Sequence, residues 1–373
     1  MSQTLAVAPA TNHYSRSELT YPVRTGEIDV GLVDPLSSSE WDREVLSSSE
    51  SSVFHLAAWA RVINLSYGHK PIYFRFVQGG KLAALLPIIE VSSPLTGTRG
   101  VSLPFSDFCD PLIFDGSIDA SILLEAVNKI ALERSWKYFE MRSNLFAQYV
   151  TDSPQQYHEH TIDLRLGANR LFAGLEPSVR RAVRKAKERG LEIQISNSWQ
   201  AVREFYRLHV RTRKRHGLPP QPLSFFHNIY REIISAGYGF VVVAKAAIRP
   251  VAAAVFFHSG HKAIYKFGAS DAGSQHLRGN NLVMWKAIEH LAGSGFHCLH
   301  FGRTDLEDEG LRRFKRSWGT SEQKLGYFRF QVVPGSANNR WFAQGHGYHT
   351  RIFRRLPLFV NRIAGKLVYP HLD

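Results

Sequence analysis

The most constraining stretch of this chain is GFVVVAKAAIRPVAAAVFFHSGHKAIYKFGAS, residues 239–270, which is rich in β-branched and aromatic side chains. Its long apolar tract is interrupted by Lys245, Arg249 and Pro250, so it does not have the composition of a plain membrane span. Turn residues divide the stretch into three runs of strand length. The pattern therefore predicts a three-stranded meander.

The elements around this meander occur in an order that the first half of the chain repeats. In the second half, the patterns predict helices at 177–189, 198–217, 280–295 and 306–319 and strands at 296–302 and 324–333. In the first half, they predict helices at 55–68 and 119–134, a hairpin at 70–91, and strands near 99–103 and at 136–142. Each half thus contains helices, a meander, a helix and a strand, which indicates one α/β (α+β) module used twice. The two halves share this order much more clearly than they share individual residues.

The same order suggests where the chain divides. We expect an irregular N-terminal segment at 1–25, a first domain at 26–165, a second domain at 166–335 and a basic amphipathic C-terminal segment at 336–373.

The chain is basic and has the composition of a globular protein. Its 373 residues are 44% hydrophobic and 21% charged, and the formal net charge is +14. Such a charge favours an anionic partner, which could be RNA, a nucleotide-linked substrate or an anionic membrane surface. The two cysteines, Cys109 and Cys298, lie far apart and lack metal-ligand spacing, so we expect neither a disulfide nor a metal site. The first residues do not form a good signal peptide, and the expectation is a cytoplasmic protein.

The helix PSVRRAVRKAKERG, residues 177–190, has one apolar stripe and is otherwise covered with cations. Pro177 suits a first helical position, and Gly190 suits a left-handed C-terminal cap. We take Arg180, Arg181, Arg184 and Lys185 as candidate phosphate-binding residues. The next helix adds another basic set: Arg203, Arg207, Arg211, Arg213, Lys214 and Arg215. A merely solvated face is the competing interpretation.

Three further motifs could carry chemistry. In the turn QHLRGNNLVMW, residues 275–285, Arg278, Gly279 and Asn280 open a helix after a strand, where backbone N–H groups can hold an anion. The alternative is a plain turn, with Gly279 at positive φ and Asn280 as the helix cap.

In HFGRTD, residues 300–305, His300 and Asp305 have the H-x4-D spacing of glycerolipid acyltransferases, but His300 falls within a strand. In GLRRFKRSWG, residues 310–319, Phe314 and Trp318 indicate a buried stripe that Leu311 would join. Lys315 adjoins that stripe and could stabilise an oxyanion, or it could only extend its amine to the surface. The sequence has no G-x-S-x-G motif, so acyl transfer would be direct.

Together, these segments resemble the Fem-type (FemABX-like) peptidyltransferases and the related large GNAT-like acyltransferase domain, of the BioF2-like acetyltransferase type. The resemblance covers about residues 169–330. It rests on VRRAVRKAKERGLEI, FYRLHVRTRKRHGLP, YKFGAS, LRGNNLVMWKAI, FGRT and GLRRFKRSWG. His300 departs from it, because many relatives have Asp before FGR. No coiled-coil arm of the kind that some Fem proteins use for tRNA is evident.

This resemblance implies two tandem GNAT-like domains with mixed sheets flanked by helices. It also implies N-acyl transfer from acyl-CoA or aminoacyl-tRNA to an amine, on a cell-wall or exopolysaccharide precursor linked to a nucleotide or a lipid. No tightly bound cofactor is implied. Lys315 would steady the oxyanion, Tyr265, Arg303, Arg211 and Arg213 would position the acceptor, and the basic residues named above would bind donor phosphate. The competing function is a non-catalytic nucleic-acid-binding module, which the net charge alone supports.

The C-terminal residues 351–373 combine an apolar stripe with interleaved cations. The stripe consists of Ile352, Phe353, Leu356, Phe359, Val360, Ile363 and Leu367. One interpretation is a helix that docks on the protein through this stripe, with Pro357 kinking or beginning it. The other is a basic amphipathic helix on an anionic membrane.

Overall fold

The computed structural model describes residues 23–25, 28–116, 118–150, 154–333 and 348–373. The strands are β1 Val23–Thr25, β2 Ile28–Val33, β3 Lys70–Gln78, β4 Lys81–Ser93, β5 Gly97–Val101, β6 Leu112–Ile113, β7 Tyr138–Met141, β8 Gln155–Asp163, β9 Glu192–Ser196, β10 Gly239–Ala246, β11 Arg249–Ser259, β12 Lys262–Ser270, β13 Cys298–Asp305 and β14 Ser321–Gln331. The helices are α1 Trp41–Leu46, α2 Ala57–Tyr67, α3 Ala120–Glu133, α4 Gly167–Gly174, α5 Pro177–Glu188, α6 Trp199–His216, α7 Leu223–Ile229, α8 Gly279–Gly293, α9 Glu309–Arg316, α10 Tyr348–Arg355 and α11 Leu358–Val368.

A single mixed sheet of 14 strands runs through both halves of the chain. Its order is β1-β2-β3-β4-β5-β7-β14-β8-β13-β12-β11-β10-β9, with β6 paired to β4 outside this path. The predicted α/β fold with flanking helices is confirmed. The predicted meander is the antiparallel set β10, β11 and β12.

The sheet repeats its strand arrangement in each half, as the order of sequence patterns predicts. In the first half, β5 pairs in parallel with β7 after the crossover helix α3. In the second half, β12 pairs in parallel with β13 after the crossover helix α8. All the other strand pairs in the described ranges are antiparallel.

The two halves meet at β14, which pairs with β7 at its C-terminal end and with β8 at its N-terminal end. The sequence patterns do not reveal β8, and the proposed boundary at 165 assigns it to the first domain. In the structure, β8 pairs only with β13 and β14. The segment 1–25 was expected to be irregular, but Val23–Thr25 forms β1, and residues 1–22 lie outside the described residues.

The apolar core confirms that the two halves form one body. On one face of the sheet, α2 of the first half and α6 and α7 of the second share a single cluster. Within it, the ring centroid of Trp59 lies 6.4 Å from that of Phe225 and 6.1 Å from that of Phe257. On the opposite face, α3 covers the first half, and α4, α5 and α8 cover the second.

The C-terminal helices dock on the protein, but not through the predicted apolar stripe. The buried residues of α11 are Asn361 and Gly365, and Pro357 caps the helix rather than bending it. Phe353, Leu356 and Val360 are half-buried, whereas Ile352, Phe359, Ile363 and Leu367 are each more than half exposed. The stripe interpretation is therefore wrong for these four residues. Residues 336–347 of the predicted C-terminal segment lie outside the described residues.

The C-terminal tail docks closely because Gly365 has no side chain, so the backbone of α11 can contact the backbone at Pro220. A Cβ atom at Gly365 would lie 1.9 Å from the carbonyl oxygen of Pro220. Beyond α11, the carboxylate of Asp373 accepts a hydrogen bond of 2.5 Å from Arg99 Nε. Arg213 donates to the hydroxyl of Tyr369 at 3.0 Å. The tail thus joins β5 of the first half to α6 of the second.

These contacts predict that Gly365→Ala destabilises the protein by about 1–3 kcal/mol, because the new methyl group overlaps a backbone atom. Gly293→Ala is the matched control, since no atom lies within 4 Å of a Cβ at that helical glycine. It should leave stability unchanged or raise it slightly. Urea unfolding of both variants measures the difference, and equal midpoints would contradict the packing described.

Candidate active site

The strands β12 and β13 are paired over only part of their length. Lys262–Ile264 pair in parallel with Cys298–His300, and no pairing follows toward the C-terminal ends. Their later residues therefore separate and leave a gap in the sheet. Such a gap exposes backbone N–H and C=O groups that need other partners, from the protein or from a ligand.

A carboxylate from the first half enters this gap. The side chain of Asp107 accepts a hydrogen bond of 2.5 Å from Lys266 Nζ on β12 and one of 3.2 Å from the Arg303 N–H on β13. Burial acts to raise the pKa of Asp107, but the charge and hydrogen bond of Lys266, together with the charge of Arg303, outweigh it and lower that pKa to about 2. Gly302 has a φ of +72°, and a Cβ there would lie 3.0 Å from Asp107 Oδ1. The gap is therefore bridged by a permanent charge from the first half.

The loop that carries Asp107 is held rigidly despite an unfavourable backbone. Leu103 and Phe105 have φ values of 64° and 59°, which are uncommon for residues other than glycine. The buried guanidinium of Arg142 donates to the carbonyls of Leu103 and Ser106 at 2.9 and 3.2 Å. Strain of this kind persists where surrounding contacts overdetermine the conformation, as is common at functional sites.

Lys315 points into the protein, so the interpretation that it only reaches the surface is wrong. Its side chain is 2% exposed, and its Nζ donates to the carbonyls of Gly302 and Arg303 at 2.7 and 2.9 Å. Burial lowers the pKa of this amine from 10.5 to about 8.

Helix α9 carries Lys315 and is fixed to the sheet by Arg312, which forms a forked ion pair with Glu322 of β14. Trp318 is fully buried and Phe314 packs beside it, as predicted. Leu311 was expected to join them but is 36% exposed.

Arg303 lies between two tyrosine rings. Its guanidinium carbon is 4.5 Å from the ring centroid of Tyr157 on β8 and 5.0 Å from that of Tyr327 on β14. No carboxylate among the described side chains forms an ion pair with it. The residue is only half-buried, so its guanidinium can meet an anionic or carbonyl group of a substrate.

Tyr265 lines the same region but does not act as a base. Its main-chain carbonyl lies 3.5 Å from the position of a Cβ at Gly302. Burial raises the pKa of its phenol to about 12, so the phenol is neutral near pH 7. The structure thus brings Lys315, Arg303 and the main-chain carbonyl of Tyr265 together around Gly302, whereas the Tyr265 hydroxyl lies against Gly268.

His300 does not form the pair with Asp305 that the H-x4-D spacing suggests. The Gly302 N–H donates to His300 Nδ1 at 2.8 Å, so the proton of the neutral ring is on Nε2, which lies 3.2 Å from Glu159 Oε2. Both nitrogens are therefore occupied, and Asp305 is exposed. The lone pair of His300 is not free to accept a substrate proton.

The predicted phosphate-binding turn begins helix α8 at the same end of the sheet as the gap. The left-handed residue is Arg278, with a φ of +61°, and not Gly279 as the turn interpretation supposed. Gly279 is instead required for close packing, because its Cβ would lie 3.0 Å from that of Ala252. Asn280 is exposed in the first turn and is not the cap. The first turn of α8 therefore lies at the end of the sheet where β12 and β13 separate, and its Asn281 N–H donates to the carbonyl of Arg278.

The basic helix α5 packs against α8 through the shared core cluster. Leu191, which directly follows α5, lies 3.7 Å from the position of a Cβ at Gly279. The C-terminal end of α5, with Lys187 and Arg189, is therefore the end next to the α8 turn.

The candidate phosphate-binding residues of α5 lie farther along the helix. Arg180 donates to the carbonyl of Ala173 and Arg184 lies over the ring of Phe172. At 1.5 Å per residue, Arg180 is about 13 Å along the axis from Arg189. Arg181 and Lys185 are exposed, and none of these four cations forms an ion pair in the part of the chain that the structure describes.

The two candidate acceptor-binding residues on α6, Arg211 and Arg213, do not lie at a common site. Arg213 is engaged by the carbonyl of Pro219 and the hydroxyl of Tyr369, which fixes the C-terminal tail. Arg211 is exposed. No described contact joins either of them to Lys315 or Arg303.

Sequence reasoning missed Asp107, Tyr157, Glu159 and Tyr327. Tyr157 and Glu159 lie on β8, whose alternating pattern QQYHEHTID was the available signal. Asp107 lies in a loop without a motif. Within the described ranges, no group of three or more His, Cys, Asp or Glu side chains could hold a metal ion. None of the described helices is long and apolar enough to cross a bilayer.

Comparison with known proteins agrees with this geometry. Residues 177–316 match the family model described as an acetyltransferase (GNAT) domain. This match lies within the second half of the chain, which is thus similar to a GNAT acetyltransferase domain. No curated protein sequence matches the chain. The similarity to solved structures covers most of the chain and not only residues 177–316.

The crystal structure of FemX is 16% identical with a TM-score of 0.65, and the match covers 81% of this chain and 97% of that one. A tandem GNAT protein from the clavulanic acid biosynthesis pathway is 10% identical with a TM-score of 0.53, over 83% and 100% of the two chains. L-PGS from Bacillus licheniformis is 11% identical with a TM-score of 0.51, over 88% and 96%. At such identities the likeness shows a shared fold of tandem GNAT-like type.

The depressed pKa of Lys315 predicts a pH dependence of stability. Between pH of about 8 and 10.5, the unfolded state holds more protons than the folded state, so this residue's contribution to stability rises with pH. The free energy of unfolding of the wild type, minus that of Lys315→Met, should therefore increase over this window. Urea titrations across the window measure it. The same difference for Lys129→Met, which removes an exposed lysine, should stay flat.

Proposed function

We propose that this protein transfers an acyl or aminoacyl group from a coenzyme A thioester to an amine of a cell-wall or surface-polysaccharide precursor. The observation that carries this proposal is the separation of β12 and β13 beside the first turn of α8. The gap between the edges of the two strands can receive the extended chain of the acyl donor. The helix N-terminus beside it suits the phosphates of the same donor.

The donor site is formed by Arg278 and by the main-chain N–H groups of Gly279 and Asn280 at the start of α8, whereas the Asn281 N–H donates to the carbonyl of Arg278. The end of α5 next to this turn adds positive charge from Lys187 and Arg189. Among the described helices the longest, α6, has 18 residues and packs in the core, so it does not form a projecting arm for tRNA. These features favour a coenzyme A donor over an aminoacyl-tRNA.

The reaction is a direct transfer. Burial raises the pKa of both Cys109 and Cys298, which disfavours their thiolates and makes them poor nucleophiles. The neutral amine nitrogen of the acceptor attacks the thioester carbonyl, an amide C–N bond forms and the C–S bond breaks. The proton lost by the amine ends on the departing thiol, relayed by water or by a phosphate of the substrate.

Lys315 contributes electrostatic stabilisation in this reaction. Its two hydrogen bonds to carbonyls fix the amine, and one N–H remains for the oxygen of the tetrahedral intermediate. Arg303, held between two tyrosine rings, orients the acceptor through a carbonyl or an anionic group. The amine itself must arrive uncharged, because His300 offers no free lone pair.

The donor is identified by offering the purified protein a labelled acyl-CoA or a labelled aminoacyl-tRNA, with an amino-sugar or peptide-linked precursor as acceptor. Label in an amide product from acyl-CoA supports the proposal. Arg278→Glu should raise the KM for acyl-CoA about tenfold or more, because it places an anion beside the donor phosphates. Lys129→Glu makes the same charge change far from the gap and should not alter it.

Two outcomes would contradict the donor assignment. Transfer only from aminoacyl-tRNA would replace coenzyme A by tRNA. Tight RNA binding that weakens steeply with salt, with no transfer from either donor, would support a nucleic-acid-binding module instead.

The role of Lys315 predicts a separate kinetic effect. Lys315→Met should lower turnover by about 10²–10³-fold, because it removes the positive charge next to the developing oxyanion. Lys262→Met is the control, since Lys262 pairs with Glu50 at the opposite end of β12. Steady-state kinetics measures the turnover of both variants. Unchanged turnover in a folded Lys315→Met protein would leave the lysine with a structural role alone.

A further inference from the structure

Helix α11 presents its large apolar side chains to solvent rather than to the protein. Its docked face is made by Asn361 and Gly365, both buried. The outward row Phe359, Ile363 and Leu367, spaced at four-residue steps, is 64%, 56% and 65% exposed. A helix that docks through small and polar residues and exposes its aromatic and aliphatic ones leaves an apolar surface that calls for a partner.

A row of cations runs beside these apolar residues. Lys366 is exposed, and the preceding helix α10 adds exposed Arg351, Arg354 and Arg355. Arg362, four residues before Lys366, is also exposed, but its guanidinium carbon lies 5.9 Å from the ring centroid of Tyr206 on α6. Residues 348–372 contain no Asp or Glu. The terminal Asp373 is engaged with Arg99. The surface is therefore apolar and positively charged, without compensating acidic side chains of its own.

The helix is also held in a fixed orientation. The carbonyl of Phe353 accepts a hydrogen bond of 2.8 Å from Asn361 Nδ2, which joins α10 to α11. Gly365 contacts the backbone at Pro220, and the segment after α11 is tied down at Tyr369 and Asp373. The exposed row is thus a permanent feature of the folded surface and needs no rearrangement to be presented.

We propose that the outward face of α11, formed by Phe359, Ile363, Leu367 and Lys366, docks this protein on the surface of an anionic lipid bilayer. The helix lies in the plane of the membrane, with its apolar row among the acyl chains near the headgroups and its cations against lipid phosphates. This proposal is independent of the acyl donor and goes beyond the proposed transfer reaction.

The charge pattern distinguishes a bilayer from other partners. In a twofold dimer formed through this face, the cations of one copy would meet those of the other, which is unfavourable. A nucleic acid would satisfy the cations but leave the aliphatic row of Ile363 and Leu367 without a partner, because bases stack on aromatic rings. An anionic bilayer satisfies both components of the surface at once.

The experiment is co-sedimentation of the full-length protein with vesicles of phosphatidylcholine alone or mixed with phosphatidylglycerol. We expect binding to the mixed vesicles only, weakened by salt. The triple variant Phe359→Ser/Ile363→Ser/Leu367→Ser should reduce binding about tenfold or more. The variant Lys366→Gln should reduce it about fivefold, since each cation near an anionic surface contributes about 1 kcal/mol.

Matched controls test whether vesicle binding depends on this surface or only on the exposed apolar area and net charge of the whole protein. The variant Leu65→Ser/Leu95→Ser/Leu132→Ser removes three exposed leucines elsewhere, and Lys81→Gln/Lys129→Gln removes two exposed lysines. Both should bind as the wild type does. Because the altered α11 side chains are exposed, their variants should keep the wild-type melting temperature.

Three results would overturn the proposal. The first is absence of wild-type binding to the mixed vesicles. The second is an equal loss of binding in the control variants, which would indicate a response to overall composition. The third is a concentration-dependent dimer that the triple serine variant abolishes while vesicle binding is unchanged, which would assign the surface to a second copy of the chain.

Discussion

The carboxylate of Asp107 is the group on which the arrangement of the candidate site depends. It comes from the first half of the chain and lies between two separating strands of the second, where it meets Lys266 and the Arg303 N–H. A buried charge without partners is strongly unfavourable, so these contacts fix the loop and the strands together. The hydroxyl of Tyr327 adds a hydrogen bond of 2.7 Å to the Asp107 carbonyl. The first half is therefore part of the site and not only a support for it.

Much of the fold could be predicted from the sequence because its strong periodicities coincide with real elements. The meander and the helices at 119–134 and 280–295 are found as predicted, and the Asp119 side chain caps α3 by accepting from the Ser121 N–H. The strand β8 was missed because its nine residues, QQYHEHTID, are mostly polar, so no apolar run marks it. Which strands pair across the halves depends on long-range contacts that no local pattern encodes, and this is why the boundary at 165 separates β8 from the strands that flank it.

The candidate site could be predicted only in part, because several of its contacts are also long-range. Lys315 and Arg303 stand in motifs, whereas Asp107 and the two tyrosines around Arg303 reach them only through the folded sheet. The prediction that Arg211 and Arg213 of α6 both bind the acceptor assumed that cations on one helix share one role. In the structure, Arg213 is used to hold the C-terminal tail, and a neighbouring residue on the same helix is left exposed. Side-chain charge alone does not distinguish an anchor from a binding group.

Strand β14 has a consequence for how the chain can be made. It is the last strand in the part of the chain that the structure describes, yet it lies in the middle of the sheet, where it pairs with β7 on one side and β8 on the other. The ring of Phe330 stacks on that of Phe139 with centroids 4.9 Å apart. During synthesis, the edge of β7 therefore has no neighbour until residues 321–331 have left the ribosome. The two halves cannot mature one after the other, because each waits for the same strand.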